Sequence, residues 1–488
     1  MNADNSQDSA ASHGPHDRRR WFALAVLCLG VLMIVLDITI VNVALPTIRE
    51  NLGFSVSSLA WVINAYLLTS GGFLLLGGRL GDLYGHRRLF LIGLALFTLA
   101  SLLCGFADSQ FVLVFARAVQ GLGGAVVDAV ALSLIVDLFT ETDDRAKAMG
   151  VYGFVCSAGG SIGALLGGFL TNQFDWHWIF LVNIPIGAVV IALSLALLPS
   201  SQGQGGDSRL VVGGAITITT SLMLAIYAIV NGNETGWTST QTLGLLAMAV
   251  ALFGIFLVIE KRVRVPLVPL GLFRLRNLAA ANVVGVLWAA GMFAWFFLSA
   301  QYMQLVLHYS PLQVGLAFVP TNLVMAVMSL GISAKLVTRF GIKRPLVTGL
   351  LFAAAGLLLF ARAPVDGNFV ADVLPPMLAL GLGAGIAFNP MLMAAMNDVT
   401  PSESGLASGI VNTSFMMGGA LGLAVLASLA AFATDGLLAV GVDHLVALNR
   451  GYHAAFLGGA VFAVLAAGAG AIFIRAPVVL PQQATEPT

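Results

Sequence analysis

Charged side chains are scarce in this chain: 9% of its 488 residues are Asp, Glu, Lys or Arg, whereas 58% are hydrophobic. A soluble protein of this length needs a far more polar surface, so the composition excludes a soluble globular fold. Apolar runs recur along the whole chain, and each is long enough to cross the hydrocarbon core of a bilayer as a helix. The sequence therefore predicts an all-α polytopic membrane protein.

Cysteine is scarce as well, and the three present, Cys28, Cys104 and Cys156, all lie inside apolar runs. This placement argues against disulfides and thiolate metal sites. The sequence contains no phosphate-binding loop, dinucleotide fingerprint or nucleophile elbow. We therefore expect neither an enzyme nor a metal, a cofactor or a nucleic-acid partner. The first twenty residues are polar and lack an apolar core, which favours a cytoplasmic tail over a cleaved signal.

The apolar runs divide into fourteen predicted spans, and an even number places both chain ends on one side of the membrane. Of the 23 Lys and Arg residues, nineteen fall in segments on the side of the chain ends, three fall on the opposite side, and Arg117 lies within a span. Basic residues concentrate on the cytoplasmic side of membrane proteins. Both termini are therefore predicted to be cytoplasmic.

One segment occurs twice, as GRLGDLYGHRR (78–88) and as AKLVTRFGIKRP (334–345). Both copies join the second and third helices of a six-helix block if two central helices are set aside, and such repeats are typical of secondary transporters. The predicted organisation is a cytoplasmic tail (1–20), an N-terminal six-helix bundle (21–200), two inserted helices with flanking loops (201–264), a C-terminal six-helix bundle (265–475) and a second cytoplasmic tail (476–488).

The segment GGRLGDLYGHRR (77–88) resembles the signature loop of the major facilitator superfamily. LDITIVNVALP (36–46), RAVQGLGGA (117–125) and WHWIFLVNIPIG (176–187) resemble motifs of its fourteen-helix drug:proton antiporter branch, with His177 where arginine is usual. The resemblance implies two six-helix bundles plus two inserted central helices. It also implies efflux of hydrophobic or amphipathic drugs by alternating access, driven by the proton gradient.

The same resemblance implies that the loop between helices 2 and 3 is a cytoplasmic latch, formed by Gly78, Arg79, Asp82, Gly85, Arg87 and Arg88. The alternative is that Arg87 and Arg88 only set topology. In the second copy of the loop Thr338 replaces the acidic residue, so we expect that latch to be weaker.

Three charges lie well inside the predicted spans, away from their ends, and each needs a reason because a charge inside the bilayer is costly. Asp37 and Arg117 are predicted at similar depth, and Asp128 follows Arg117 by close to three helical turns, on nearly the same face. We predict that these three residues, together with Gln120 and Asn42, form a polar lane, that is, a row of polar side chains that faces a central cavity. A carboxylate in this lane is predicted to exchange a proton for cargo. The alternatives are a structural role for Asp37, a helix-linking or snorkelling role for Arg117, and an Asp128 that reaches water.

The fifth span contains glycines that match the antiporter motif of the branch: Gly150, Gly159, Gly163, Gly167 and Gly168. A stripe of glycines permits close helix packing, and it also permits a sliding contact between the two halves. Ala164 stands where the motif has a proline, so the kink that a proline would introduce is in question.

We predict a proton-driven exporter of drugs or antibiotics in a bacterial plasma membrane. Its predicted partners are a small-molecule drug or metabolite, protons and the lipid bilayer, and we expect a monomer. One alternative is a dedicated exporter of a single native metabolite or antibiotic, and another is a membrane sensor or scaffold that transports nothing.

Overall fold

The computed structural model describes residues 15–55, 57–139, 141–199, 212–263, 266–400 and 403–475. In these residues we number fourteen long helices in chain order. They are α1 Pro15–Leu52, α2 Trp61–Tyr84, α3 His86–Gly105, α4 Gln110–Leu138, α5 Thr142–Gln173, α6 Asn183–Leu197, α7 Val212–Thr235, α8 Thr240–Arg262, α9 Arg276–Gln301, α10 Pro311–Val327, α11 Lys343–Phe360, α12 Leu374–Met396, α13 Ser404–Ala439 and α14 His444–Phe473.

Short helical segments extend several of these helices. Single turns precede α2 (Ser58–Ala60), α6 (Trp178–Leu181) and α9 (Leu270–Arg274). Stretches of π-helix follow α9 (Tyr302–Val306), follow α10 (Met328–Ile332) and precede α12 (Phe369–Val373), and Ser333–Phe340 continues the chain beyond α10. Of the helices in the described residues, twelve are long and apolar enough to cross a membrane. Together with α5 and α10 they make fourteen, and the predicted all-α fold is confirmed.

Polar side chains cap helices at the loops on the side away from the chain ends. Ser310 and Gln313 form a capping box at the start of α10, and the Ser239 hydroxyl accepts from the Thr242 amide at the start of α8. Asp443 accepts from two amides at the start of α14. Such caps satisfy the free amides of a helix N-terminus, which explains why these helices begin where they do.

Glycines set the packing inside each half of the molecule. Gly123 of α4 lies against Gly93 of α3, and Gly383 of α12 lies against Gly349 of α11. Because neither partner has a side chain, the two backbones approach closely in both pairs. The repeat seen in the sequence is thus also a repeat of helix–helix contacts. The domain boundaries themselves stay a prediction.

The two halves meet mainly along α5–α10 and α2–α13. Near the side away from the chain ends, a Cβ added to Gly168 would lie 2.6 Å from the Pro311 carbonyl oxygen, and Gln304 Nε2 donates to the Val43 carbonyl at 2.7 Å. Nearer the chain ends, a Cβ at Gly150 or Gly331 would meet nothing within 4 Å in the described structure. The halves are therefore in close contact on the far side, whereas open space lies beside Gly150 and Gly331 nearer the termini.

Helices α7 and α8 pack on each other, and α7 covers the α2–α13 seam. Thr219 of α7 sits against Gly72 of α2. At its other end, Asn233 Nδ2 donates to the Ser428 carbonyl of α13 at 2.8 Å. This hairpin thus contacts both halves.

Candidate functional site

A buried ion pair joins α1 to α4 inside the first half. Arg117 Nη1 donates to Asp37 Oδ2, and the exposed fractions of the two residues are 1% and 0%. The same guanidinium donates from Nε to the Val62 carbonyl at 2.9 Å, and it lies 4.5 Å from the centre of the Tyr66 ring. Arg117 therefore links α4 to α1 and α2 by charge, hydrogen bonds and a cation–π contact.

Amide side chains satisfy the remaining oxygen of Asp37. Gln120 Nε2 donates to Asp37 Oδ1 at 2.7 Å, and Asn183 Nδ2 of α6 donates to the same oxygen at 3.0 Å. Gln120 Nε2 also donates to the Ser101 hydroxyl of α3 at 2.8 Å. Since buried charges must be paired and hydrogen-bonded, this network is what allows a carboxylate to lie in an apolar bundle.

The network contains residues to which the sequence interpretation gave no role. Asn183 lies within the quoted segment WHWIFLVNIPIG, so a signal was present there. Ser101 and Tyr66 lie in ordinary apolar runs, and only the fold places them beside Asp37 and Arg117.

The structure divides the predicted polar lane into two parts. Asp37, Arg117 and Gln120 form one sealed cluster, with exposed fractions of 0–1%. Asn42, 8% exposed, lies outside it, and its Nδ2 donates to the Ile38 carbonyl of its own helix at 3.1 Å. Asp128 is half-buried and makes no hydrogen bond or ion pair with the described residues. Asp37 therefore does not face an open cavity in this state.

The second half has an aromatic cluster where the first half has charges. Trp288 of α9 lies 5.9 Å from Phe388 of α12 and 5.7 Å from Phe415 of α13, measured between ring centroids. Phe293 packs on Phe415 at 6.0 Å. These edge-on arrangements are typical of stable aromatic packing.

In the predicted latch loop, Asp82 lies 3.8 Å from Arg79 and 3.2 Å from His86. His86 also lies 3.0 Å from Asp137 at the end of α4, and Arg87 Nη2 donates to the Leu195 carbonyl of α6 at 2.6 Å. These contacts join α2, α3, α4 and α6 on the side of the chain ends. His86, to which the sequence interpretation gave no role, is the residue that connects the loop to α4.

Backbone conformation explains two glycines of this loop and its repeat. Gly85 has φ +94° and Gly341, its counterpart, has φ +74°. Only glycine adopts this region freely, so both tight turns require it. Gly78, by contrast, has space beside it: an added Cβ would meet Ala129 at 3.8 Å. Arg88 is exposed at the start of α3.

The helix 5 glycines do not share one partner. Gly159, Gly163 and Gly167 pack on Val35, Thr39 and Ile40 of α1, within the same half, whereas Gly168 packs on α10 of the other half. Gly150 lies at the open side. Gly159, Gly163 and Gly167 thus form a packing surface for α1, and of the five glycines only Gly168 is seen against the other half. Helix α5 runs without interruption through Ala164.

Known proteins resemble the chain over most of its length. A family model described as the Major Facilitator Superfamily matches residues 27–423. The puromycin resistance protein of Streptomyces alboniger is 40% identical over 90% of this chain and 86% of its own length. The cephamycin export protein of Amycolatopsis lactamdurans is 37% identical over 90% of each chain.

The fold resembles solved structures as well. The crystal structure of an auto-inhibited peptide transporter of the POT family superposes with a TM-score of 0.67 and covers 93% of this chain and 96% of its own, at 16% identity. The helix arrangement and the family match agree with the resemblance that the signature loop suggested. This chain is a multi-pass membrane protein of the Major Facilitator Superfamily.

Proposed function

We propose that this protein exports hydrophobic or amphipathic drugs or antibiotics across the plasma membrane in exchange for protons. The observation that carries the proposal is the sealed Asp37–Arg117 pair, which holds an ionisable carboxylate between α1 and α4. A buried ion pair costs desolvation energy, so an ionisable residue inside a membrane span marks a candidate functional site. The relatives named for antibiotic resistance and antibiotic export support the direction of transport and the cargo.

The coupling step follows from the geometry of the pair. A proton that binds Asp37 removes its negative charge and leaves Arg117 as an unpaired buried cation. Because such a cation is strongly unfavourable, α1 and α4 then favour an arrangement in which Arg117 gains other partners or water. Loss of the proton restores the pair seen here. The two protonation states thus stabilise two arrangements of the bundle, which alternating access requires.

The proton gradient supplies enough free energy for export. One proton that crosses about 100 mV releases about 2.3 kcal/mol, and a pH difference of one unit adds about 1.4 kcal/mol. At about 1.4 kcal/mol per decade of concentration, one proton per drug sustains a gradient of roughly 500-fold.

Purified protein in liposomes tests the proposal. We expect addition of a transported drug to drive proton movement in the wild type and not in Asp37→Asn. Asp108→Asn is the matched control, because Asp108 is an exposed carboxylate in the loop between α3 and α4. Drug-linked proton flux that persists unchanged in Asp37→Asn would contradict the proposal, and so would transport that survives collapse of the pH and voltage gradients.

We also propose that both termini face the cytoplasm. Nineteen basic residues on that side in the predicted topology support this orientation. A membrane-impermeant thiol reagent applied to intact cells should leave single cysteines in either terminal tail unlabelled. Labelling of either tail from outside would contradict the proposed orientation.

A second candidate function is export of a single antibiotic. Both relatives described above are named for one compound or one compound class, which favours a specialist. A growth-inhibition panel of unrelated compounds separates the two candidates. Protection against one chemotype indicates the specialist, and protection against several indicates a multidrug exporter.

A further inference from the structure

Helix α6 is bonded to Asp37 at one end and to the loop 78–88 at the other. At the start of α6, Asn183, 1% exposed, donates from Nδ2 to Asp37 Oδ1 at 3.0 Å. At its last turn, the Leu195 carbonyl accepts from Arg87 Nη2 at 2.6 Å. Asn183 and Leu195 are twelve residues apart in one helix, so about 18 Å separates the two contacts. Helix α6 therefore reaches from the buried ion pair to the predicted latch loop.

Between these two ends, α6 is held along one narrow face. Its buried residues all fall on the same side of the helix: Asn183, Gly187, Val190 and Ser194. A Cβ added to Gly187 would lie 2.2 Å from the Thr98 hydroxyl of α3, and one added to Gly30 of α1 would lie 3.6 Å from the Val190 side chain. On another face Val189 is 51% exposed. Helix α6 thus rests against α1 and α3 through side chains of a single stripe.

Helices α2, α3 and α4, by contrast, pack backbone against backbone. A Cβ added to Gly121 of α4 would lie 2.5 Å from the Tyr66 carbonyl oxygen of α2. One added to Gly123 would lie 2.6 Å from the Phe97 amide nitrogen of α3. Such close packing leaves no room for one helix to slide past another, and the loop 78–88 joins α2 to α3 within this unit. A change at Asp37 therefore displaces α6 more readily than α2, α3 or α4.

The chain has a break directly before α6. Pro185 has no amide hydrogen, so the Leu181 carbonyl receives no bond from it. The turn Trp178–Leu181 ends there, and α6 begins at Asn183. A missing backbone hydrogen bond next to a proline is a usual place for a helix to bend. The break thus lies beside the residue that bonds to Asp37.

The second half does not repeat the bond between its last helix and its loop. In that half α14 takes the place of α6, and the Phe473 carbonyl at its end accepts from Arg276 of α9 at 3.0 Å. Lys343, which matches Arg87 in the repeat, makes no side-chain hydrogen bond with the described residues. The loop 334–345 is therefore a control within the same molecule.

We propose that α6 couples the protonation state of Asp37 to the loop 78–88. Asn183 and Arg87 are the positioning residues, one at each end of α6. While Asp37 is charged, its carboxylate accepts from Asn183 and holds the start of α6 in place. A neutral carboxyl group is a weaker acceptor, so proton binding loosens the start of α6, and the Leu195 carbonyl then shifts relative to Arg87. The proposal rests on the proton coupling proposed above and adds the route by which the loop responds to the proton.

A double-mutant cycle measured by hydrogen exchange tests this route. Asp37→Asn retains the size of the side chain and removes its charge, as protonation does. Mass spectrometry follows amide exchange of the full chain in detergent at one pH, in the loop 78–88 and in the matching loop 334–345. We expect Asp37→Asn to speed exchange in the loop 78–88 by at least about fivefold and to leave exchange in the loop 334–345 unchanged.

The cycle is completed by variants at the two ends of α6. In the Asn183→Leu background, Asp37→Asn should change exchange in the loop 78–88 by less than about twofold, because α6 no longer responds to the charge. Arg87→Met should abolish the response in the same way. Since Arg87 lies outside the buried network, this variant tests the route even if Asn183→Leu fails to fold. Arg88→Met is the matched control, because Arg88 is exposed, and it should retain the full response.

Three outcomes would overturn the route. The first is exchange in the loop 78–88 that does not respond to Asp37→Asn. The second is an equal response in the Arg87→Met background, which would assign the connection to α4 and His86 instead. The third is a rise of equal size in the loop 334–345, which would indicate general loosening of the protein.

The same measurement separates the route from the proposed function, because it needs no cargo. A response that depends on Asn183 and Arg87 in a protein without drug-linked proton flux would retain the route and contradict the exchange of protons for cargo. Drug-linked proton flux in a protein whose loop does not respond would contradict the route alone.

Discussion

The two halves of the molecule have the same helix contacts and opposite interiors. The glycine pairs Gly93–Gly123 and Gly349–Gly383 join equivalent helices in the two halves. Six and three residues before Gly123 are Arg117 and Gln120, whereas Met377 and Leu380 hold the matching positions before Gly383. The small residues thus set the geometry of each half, and a few residues at matched positions set its chemistry.

The same comparison extends to the first helix of each half. Thr39 packs on Gly163, and Ala290 packs on Gly422. Asp37 stands two residues before Thr39, and Trp288 stands two residues before Ala290. Trp288 lines a cavity in the second half together with residues of α11, α12 and α14. One half therefore fills this level with a charged network, and the other leaves a small cavity that is lined by Trp288, Trp295 and mainly aliphatic side chains.

Removing one charge of the network should have the largest effect. Arg117→Met, which copies Met377 of the other half, leaves Asp37 buried and unpaired, so we expect a loss of about 3–5 kcal/mol of stability. A fluorescence melt in detergent measures this as a lower unfolding temperature. In the double variant Asp37→Leu/Arg117→Met most of the stability should return without proton-coupled transport. A single variant as stable as the wild type would show that the network is not closed in solution.

Adding a methyl group at the matched glycine contacts should reduce stability by similar amounts in the two halves. A Cβ at Gly123 would lie 2.6 Å from the Phe97 amide nitrogen, and one at Gly383 would lie 2.6 Å from that of Ala353. We expect Gly123→Ala and Gly383→Ala each to lose about 1–3 kcal/mol, measured by the same melt. Gly254→Ala on α8 is the control, since nothing in the described structure lies within 4 Å of that position. Very different losses at the two sites would contradict the equivalence of the halves.

Weakening the contact between the halves should shift the equilibrium between their two arrangements, and its free-energy effect should be smaller than that of the changes above. Gln304→Leu removes the hydrogen bond to the Val43 carbonyl, which is worth about 0.5–1.5 kcal/mol. We expect the far-side-open population to rise by at most about tenfold. Spin-label distances between the far ends of α5 and α10 report this population. An unchanged distance distribution would mean that the helix contacts alone hold the far side closed.

Replacing Asp82 in the loop 78–88 by the residue type found in its repeat, 334–345, should change stability least. Asp82 is 48% exposed in its ion pairs, and exposed pairs contribute about 0–1 kcal/mol. Asp82→Thr, which introduces the residue type found at Thr338, should therefore melt close to the wild type. If the loop is a latch, transport in liposomes should nevertheless fall by several-fold. Wild-type transport in Asp82→Thr would leave the loop with a topological role only.

Periodicity and composition were sufficient for the helices, but the sites needed the fold. The Arg117, Gln120 and Asp37 grouping was predictable because all three are costly polar residues in apolar runs. Asn183 and Ser101 were not predicted as their partners, because short polar side chains are common in spans and carry no signal of what they face. The separation of Asp128 from Arg117 was also missed, since one face of a helix can meet different neighbouring helices at turns that lie three apart.

The sequence by itself determined that this chain crosses the membrane many times as helices, repeats its architecture and belongs with the transporters. The membrane-spanning helices follow from local physics, since backbone groups in lipid must bond within their own helix, whereas the place among the transporters follows from the repeat and from the resemblance of the motifs. Only the tertiary structure decided that Asp37 is sealed in a hydrogen-bonded network while Asp128 is half-buried outside it, and that the glycines of α5 divide between α1 and α10. Such facts depend on which helices pack side by side, and that is a property of contacts between segments far apart in the chain.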